Sequence, residues 1–174
     1  KQDLTDDILP LAGQLGNRNL IINGAFNVAQ RGTTASTPGD VFLTTDRIGY
    51  FRSGLSENTT QEQANVASGT GPYTSGFRKS LKLTNGNNTA VTSQFQIIRT
   101  RLEAQDIASS GWNYTSASSN ITFQFWVKSS VAQNFYGYLI SLDGTAQTYP
   151  FETGSLTADT WTKITKTIPG NSNL

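Results

Sequence analysis

Residues 121–128 have the clearest strand pattern in the sequence and read Ile121-Thr122-Phe123-Gln124-Phe125-Trp126-Val127-Lys128. Because successive side chains of a strand point to opposite faces, this alternation predicts a strand with one face in a core. Further strands are predicted on either side of this segment, at residues 41–51, 77–84, 95–101, 135–142 and 161–168. Turn-forming residues separate them, and Asn85-Gly86 and Asp143-Gly144 each predict a tight hairpin.

The fold class follows from the number of these strands and the shortage of helix. Residues 102–109 are the one segment with a helical composition, and Gly111 ends it. Many short strands with almost no helix predict an all-β fold, namely a jelly roll or another two-sheet antiparallel β-sandwich.

Composition excludes most enzyme classes and several kinds of partner. The 174 residues contain no cysteine and no histidine, which removes disulfides, thiolate or imidazole zinc sites and the Ser-His-Asp and Cys-His nucleophiles. With 13 Lys+Arg against 12 Asp+Glu, no nucleic-acid partner is expected. No apolar stretch approaches the roughly 20 residues of a bilayer crossing, so no membrane insertion is expected either. Charged residues make up 14% of the chain, which predicts a polar but weakly ionic surface.

The first eighteen residues differ from the rest and predict a short non-globular N-terminal arm. Apolar residues recur there at helical spacing, but Pro10 and Gly13 interrupt the pattern. The apolar positions are Leu4, Ile8, Leu11 and Leu15. We expect these residues to dock on a neighbouring chain, because so short a stripe cannot bury its own apolar surface. A flexible linker is the alternative interpretation.

Three motifs near the start of the predicted sandwich resemble a known family. They are Asn19-Leu20-Ile21-Ile22-Asn23-Gly24-Ala25-Phe26, Gln30-Arg31-Gly32-Thr33 and Thr45-Asp46-Arg47. Their order and spacing resemble the opening of carbohydrate-binding-module-like jelly rolls in bacteriophage tail fibres and related virion proteins. The likeness extends over nearly all of residues 19–170, although the family usually has a tryptophan where Ile48 stands.

This resemblance implies a virion protein with a sandwich domain over residues 19–174. Domains of this kind continue with one or two strands after the Ile168-Pro169 turn, so closing strands are expected to be missing from the chain or supplied by a partner. The arm, residues 1–18, is expected to join other virion proteins. A homo-oligomer is expected, and the resemblance favours a trimer.

Five motif residues are interpreted as fold determinants. They are Asn23, Gly24, Arg31, Asp46 and Arg47. Tight turns and a buried pair between Asp46 and Arg47 account for them, because an arginine fork can satisfy a carboxylate where the chain enters a core.

Aromatic residues are the candidates for binding host-surface glycans. A sugar ring stacks its C–H face on an exposed aromatic ring, while amides and carboxylates bond its hydroxyls. The candidates lie in or beside loops and strand edges: Trp112, Tyr114, Tyr136, Tyr138 and Tyr149. Trp126 and Trp161 are weaker candidates because they lie inside strands. The predicted function is host attachment by a virion structural protein, and pure assembly without a ligand is the alternative.

Neither a cofactor nor catalysis is expected. The nominal calcium ligands are Asp40, Asp46, Asp143 and Glu152, but no spaced Asp-x-Asp-x-Asp-Gly loop is present. Glycan hydrolysis needs two carboxylates across a cleft, and nothing local places any two acids in that way. The chain is therefore predicted not to be an enzyme.

Overall fold

The computed structural model describes residues 19–37, 42–89, 91–142 and 144–173. Strands account for 38% of these residues and helices for 7%, so the predicted all-β class with antiparallel sheets is confirmed. The apolar positions of the predicted arm, and the acids Asp40 and Asp143, lie outside the described residues.

The sandwich region predicted over residues 19–174 is divided between two compact units. The first is Asn19–Ala104 and the second contains Gln105–Leu174. Each unit has its own pair of antiparallel sheets.

Among its described residues, the first unit contains five strands and one short helix. In chain order they are β1 Thr34–Thr37, β2 Ile48–Ser53, β3 Thr59–Asn65, helix α1 Gly71–Thr74, β4 Lys79–Thr84 and β5 Phe95–Thr100. One sheet has the order β1-β3-β4 and the other pairs β2 with β5, all antiparallel.

The hairpin predicted at Asn85-Gly86 is wrong. Strand β4 pairs with the preceding strand β3, and the chain after Gly86 crosses to the other sheet, where β5 pairs with β2. Gly86 serves a close approach instead, because a Cβ at this position would collide with Glu57 and press on the carbonyl of Asn58.

Buried polar side chains join the two sheets of the first unit. The hydroxyl of Tyr50 on β2 lies 2.8 Å from Oγ1 of Thr59 on β3 and 3.1 Å from Oε1 of Gln96 on β5. The last two atoms are 3.2 Å apart, which closes a triangle of hydrogen bonds. Tyr50 and Thr59 are fully buried, so this hydrogen-bonded network lies inside the unit and connects its two sheets.

The part of the second unit that the structure describes contains four strands. They are β6 Asn120–Val127, β7 Tyr136–Ser141, β8 Gln147–Glu152 and β9 Thr162–Pro169. Strand β6 pairs with β9, and β7 pairs with β8, both antiparallel. Helix α2, Ala104–Ser109, precedes them and confirms the helix predicted at residues 102–109.

Phenylalanines from β6 and β8 connect the two sheets of the second unit. The ring of Phe151 lies 5.5 Å from that of Phe123 and 6.2 Å from that of Phe125, measured between centroids. Ile164 and Ile168 on β9 are buried. The alternation that predicted strand β6 therefore does set its inward face.

Candidate functional site

Asn23, interpreted above as a fold determinant, joins two loops through its side chain. Its amide donates to the carbonyls of Val28 and Asp46, both at 2.9 Å, and its Oδ1 accepts from the backbone N–H of Val28 at 3.0 Å. The φ of Asn23 is 58°, a left-handed conformation that asparagine tolerates better than most residues. Gly24 follows, and a Cβ there would lie 3.2 Å from Ile21.

The expected buried pair between Asp46 and Arg47 is corrected by the structure. Asp46 accepts a hydrogen bond from the backbone N–H of Gln30 at 3.1 Å, whereas Arg47 reaches Glu103 at 2.7 Å. Arg47 has a φ of 68° and an exposed side chain, so the turn directs its guanidinium away from Asp46. Arg31 is exposed in the turn at residues 30–31.

The described residues contain neither a candidate metal site nor a candidate membrane-spanning helix. No group of three acidic side chains there is arranged to hold an ion. Neither helix in the described part of the chain has the length and apolar character for crossing a bilayer.

Trp112 is half-buried and meets the exposed Tyr114 edge to face, so the two rings do not form a flat platform. The indole Nε1–H of Trp112 donates to the carbonyl of Ser119 at 3.2 Å, and its ring meets that of Tyr114 edge to face at 6.3 Å. The carbonyl of Tyr114 accepts from the backbone N–H of Asn171 at 2.8 Å. Trp112 therefore closes the loop before β6, while the side chain of Tyr114 remains exposed.

Tyr149 is separated from the other two tyrosine candidates by the sheet. It pairs with Leu139 in the β7–β8 register, and its hydroxyl donates to the carbonyl of Thr167 on β9 at 3.5 Å. It therefore lies on the same face of β8 as Phe151, toward the other sheet of the unit, with a side chain that is still 39% exposed.

Tyr136 and Tyr138 lie together on the opposite, exposed face of this sheet. Their side chains are 81% and 50% exposed. Since they are two residues apart on one strand, their Cα atoms are about 7 Å apart. We call this surface the tyrosine face and define it as Tyr136, Tyr138 and Ile140 of β7 with their partners Glu152 and Pro150 of β8.

Polar groups border the aromatic rings of the tyrosine face. Glu152 is the register partner of Tyr136, and its Oε2 accepts from the side-chain amide of Asn134 at 2.6 Å. An exposed ring beside a carboxylate and an amide offers stacking and hydrogen bonding at once, the combination that a sugar needs. Beyond the rings, the apolar stripe continues through Ile140 to Leu142, which is 78% exposed.

Gly137 explains how the two tyrosines come to face outward. It lies between them on β7 and faces inward, opposite Phe151, whose ring lies against the glycine Cα. Any side chain at this position would occupy the volume of the ring. Phe151 thus fills the inward side of β7, and the tyrosines take the outward side.

A second outward surface, on β6–β9, contains tryptophan and lysine. Trp126 pairs with Lys163 in the strand register, and Nζ of Lys128 lies 5.5 Å from the ring centroid of Trp161, two residues beyond this pair. We call these four residues the Trp–Lys patch. Trp126 and Trp161 are weak candidates in the sequence because they were assigned to strands. The alternating pattern nevertheless places Trp126 and Lys128 on the same side as the polar residues Thr122 and Gln124, which indicates an outward position.

Comparison with protein-family models, with curated proteins and with solved structures finds no match to this chain.

Proposed function

We propose that this chain is a structural protein of a bacteriophage virion, in a tail fibre or related appendage, and that it attaches to host-surface glycans through the tyrosine face. The virion assignment rests on the sequence motifs at residues 19–47. The binding assignment rests on one observation, which is that Tyr136 and Tyr138 stand side by side in solvent with a carboxylate and an amide at their edge.

The shape of the tyrosine face supports weak binding that gains strength from repetition. Two rings on a strand form an open platform that cannot enclose a ligand, so one site contributes little affinity. Copies of one chain on a single particle raise the overall strength by factors of about 10² to 10⁴ when the spacing lets them bind together. The proposal therefore includes homo-oligomerisation, with a trimer as the favoured state, assembly with other virion proteins through residues 1–18, and no catalytic step.

A glycan array with the assembled full chain tests the attachment role. The test variant is Tyr136→Ser with Tyr138→Ser, whose side chains are exposed and contribute little to folding. Tyr114→Ser is the matched control, because it removes another exposed tyrosine outside this face. We expect glycan binding to disappear in the double variant and to persist in the control. Equal binding by the double variant and the unaltered chain would contradict the proposal.

Pure assembly is the second candidate, and the aliphatic end of the stripe favours it. Ile140 and Leu142 are exposed next to the tyrosines, and aliphatic side chains suit a protein surface better than a sugar. If this is their role, Ile140→Ser with Leu142→Ser lowers the molecular mass measured by light scattering, and the array shows no glycan signal for the unaltered chain. A glycan signal with an unchanged mass would exclude this alternative.

A further inference from the structure

In the Trp–Lys patch, the strand register pairs one tryptophan with one lysine. Trp126 on β6 lies across from Lys163 on β9, and Lys128 and Trp161 are the residues directly after β6 and directly before β9. Nζ of Lys128 lies 5.5 Å from the ring centroid of Trp161, so the second tryptophan also lies beside a lysine. Both lysines are exposed, and both tryptophans are half-buried.

The charges of the patch are available to a ligand. Lys128 and Lys163 are both exposed, and in the described part of the chain neither has an ion-pair partner. Asp159 is the acid nearest to Lys163 in the sequence; its backbone N–H donates to the carbonyl of Ser129, the residue after Lys128, at 2.7 Å, and its side chain forms no ion pair among the described residues. Two exposed ammonium groups without an ion-pair partner in this part of the chain favour an anionic ligand.

The rest of the same face offers hydroxyls and amides in a row. Beyond the patch, Gln124 pairs with Thr165 and Thr122 pairs with Thr167, and all four side chains are exposed. Together with the patch, these pairs give a polar strip of about 20 Å, since each further pair on one face adds about 7 Å. A strip of this kind suits an extended hydroxyl-rich chain better than a compact ion.

We infer that the outward face of β6–β9 binds a polysaccharide bearing anionic groups, with the indoles of Trp126 and Trp161 against sugar rings and the ammonium groups of Lys128 and Lys163 on carboxylates or phosphates. Indole faces accept the C–H side of a pyranose, while lysine serves carboxylate and phosphate as a point charge. The inference goes beyond the proposed function, because it concerns the other sheet of the unit and a charged class of ligand.

Binding of the full chain to immobilised polymers tests the inference. Polygalacturonate provides carboxylates on sugar rings, phosphomannan provides phosphates, mannan is the neutral counterpart, and polyglutamate provides carboxylates without rings. We expect binding to polygalacturonate or phosphomannan, with the stronger of the two identifying the anion, and little binding to mannan or polyglutamate. Equal binding to polyglutamate would overturn the role of the indoles, and binding to neither anionic polysaccharide would overturn the inference as a whole.

Charge-removing variants identify the surface that is used. Lys128→Gln with Lys163→Gln is expected to weaken anionic binding about fivefold to tenfold, since each exposed ion pair contributes modestly. Lys82→Gln is the matched control, because it removes an exposed strand lysine in the first unit. The melting temperature confirms folding, and Lys163→Gln alone replaces the double variant if that one is unstable. Unchanged binding in the lysine variants would overturn the inference.

The tyrosine variants separate this inference from the proposed function. Tyr136→Ser with Tyr138→Ser leaves anionic binding intact if the Trp–Lys patch is the site. Loss of anionic binding in the tyrosine variant, with retention in the lysine variants, would assign anion recognition to the tyrosine face and overturn the inference. If only the proposed function is wrong, the tyrosine variant binds glycans as the unaltered chain does, whereas the lysine variants still lose binding to the anionic polysaccharide.

Discussion

Replacing Gly137 with alanine tests the contact that orients strand β7. A Cβ at this position would lie 2.5 Å from Cζ and 2.7 Å from Cε2 of Phe151, well inside contact distance. The ring cannot withdraw freely, because it packs against Phe123 and Phe125. Overpacking of this kind costs about 1–3 kcal/mol, and each aromatic contact that loosens costs about 0.5–1.5 kcal/mol more.

A smaller gain opposes these costs. Alanine recovers the roughly 0.5–1 kcal/mol that glycine loses within a strand, which leaves a net destabilisation of about 2 kcal/mol. For a chain of this size, that lowers the melting temperature by about 4–8 °C. Calorimetry of the Gly137→Ala chain measures the shift directly.

The Phe151→Leu background provides the control for Gly137→Ala. With the ring removed, the added methyl group has room, and the cost of Gly137→Ala is expected to fall below about 1 kcal/mol. An equal loss of melting temperature in both backgrounds would refute the steric argument. So would a Gly137→Ala chain as stable as the original.

Three other substitutions have expected outcomes that urea denaturation measures. Asn23→Ala is expected to cost about 3 kcal/mol, because it removes three hydrogen bonds to Val28 and Asp46 at a left-handed position; a loss below about 1 kcal/mol would contradict this. Tyr50→Phe is expected to cost about 1.5 kcal/mol, since it removes a buried hydroxyl bonded to both sheets; no change would show that the network is dispensable. Arg47→Ala is expected to change stability by less than about 0.5 kcal/mol, because its ion pair is exposed; a large loss would restore the predicted buried role.

The positions of the strands could be predicted from the sequence because they depend on the local alternation of apolar and polar residues. The segment 121–128 has apolar residues at every second position, and the structure forms β6 at Asn120–Val127 with those residues inward. Strands β5, β7 and β9 also lie where their patterns predicted. These features depend on neighbours in the chain, which a sequence displays directly.

The sequence did not predict which strands pair with each other or which side of strand β7 faces solvent. Asn85-Gly86 has the composition of a hairpin turn, but the partner of β4 is chosen by long-range packing against β3. On β7, the larger side chains Tyr136, Tyr138 and Ile140 occupy one side, so alternation alone would turn them inward. The contact between Gly137 and Phe151 reverses this expectation, and it links residues that sequence patterns do not connect.

Carbon-13 labelling of the six tyrosines tests whether the tyrosine face binds glycans. The labelled full chain is titrated with the glycan that gives the strongest array signal, and the aromatic resonances are followed by NMR. We expect the resonances of Tyr136 and Tyr138 to shift. The resonances of Tyr50, in its buried network, and of Tyr149, on the other face of the sheet, are expected to stay unchanged. Shifts at Tyr114 or Tyr149, with Tyr136 and Tyr138 unaffected, would contradict it.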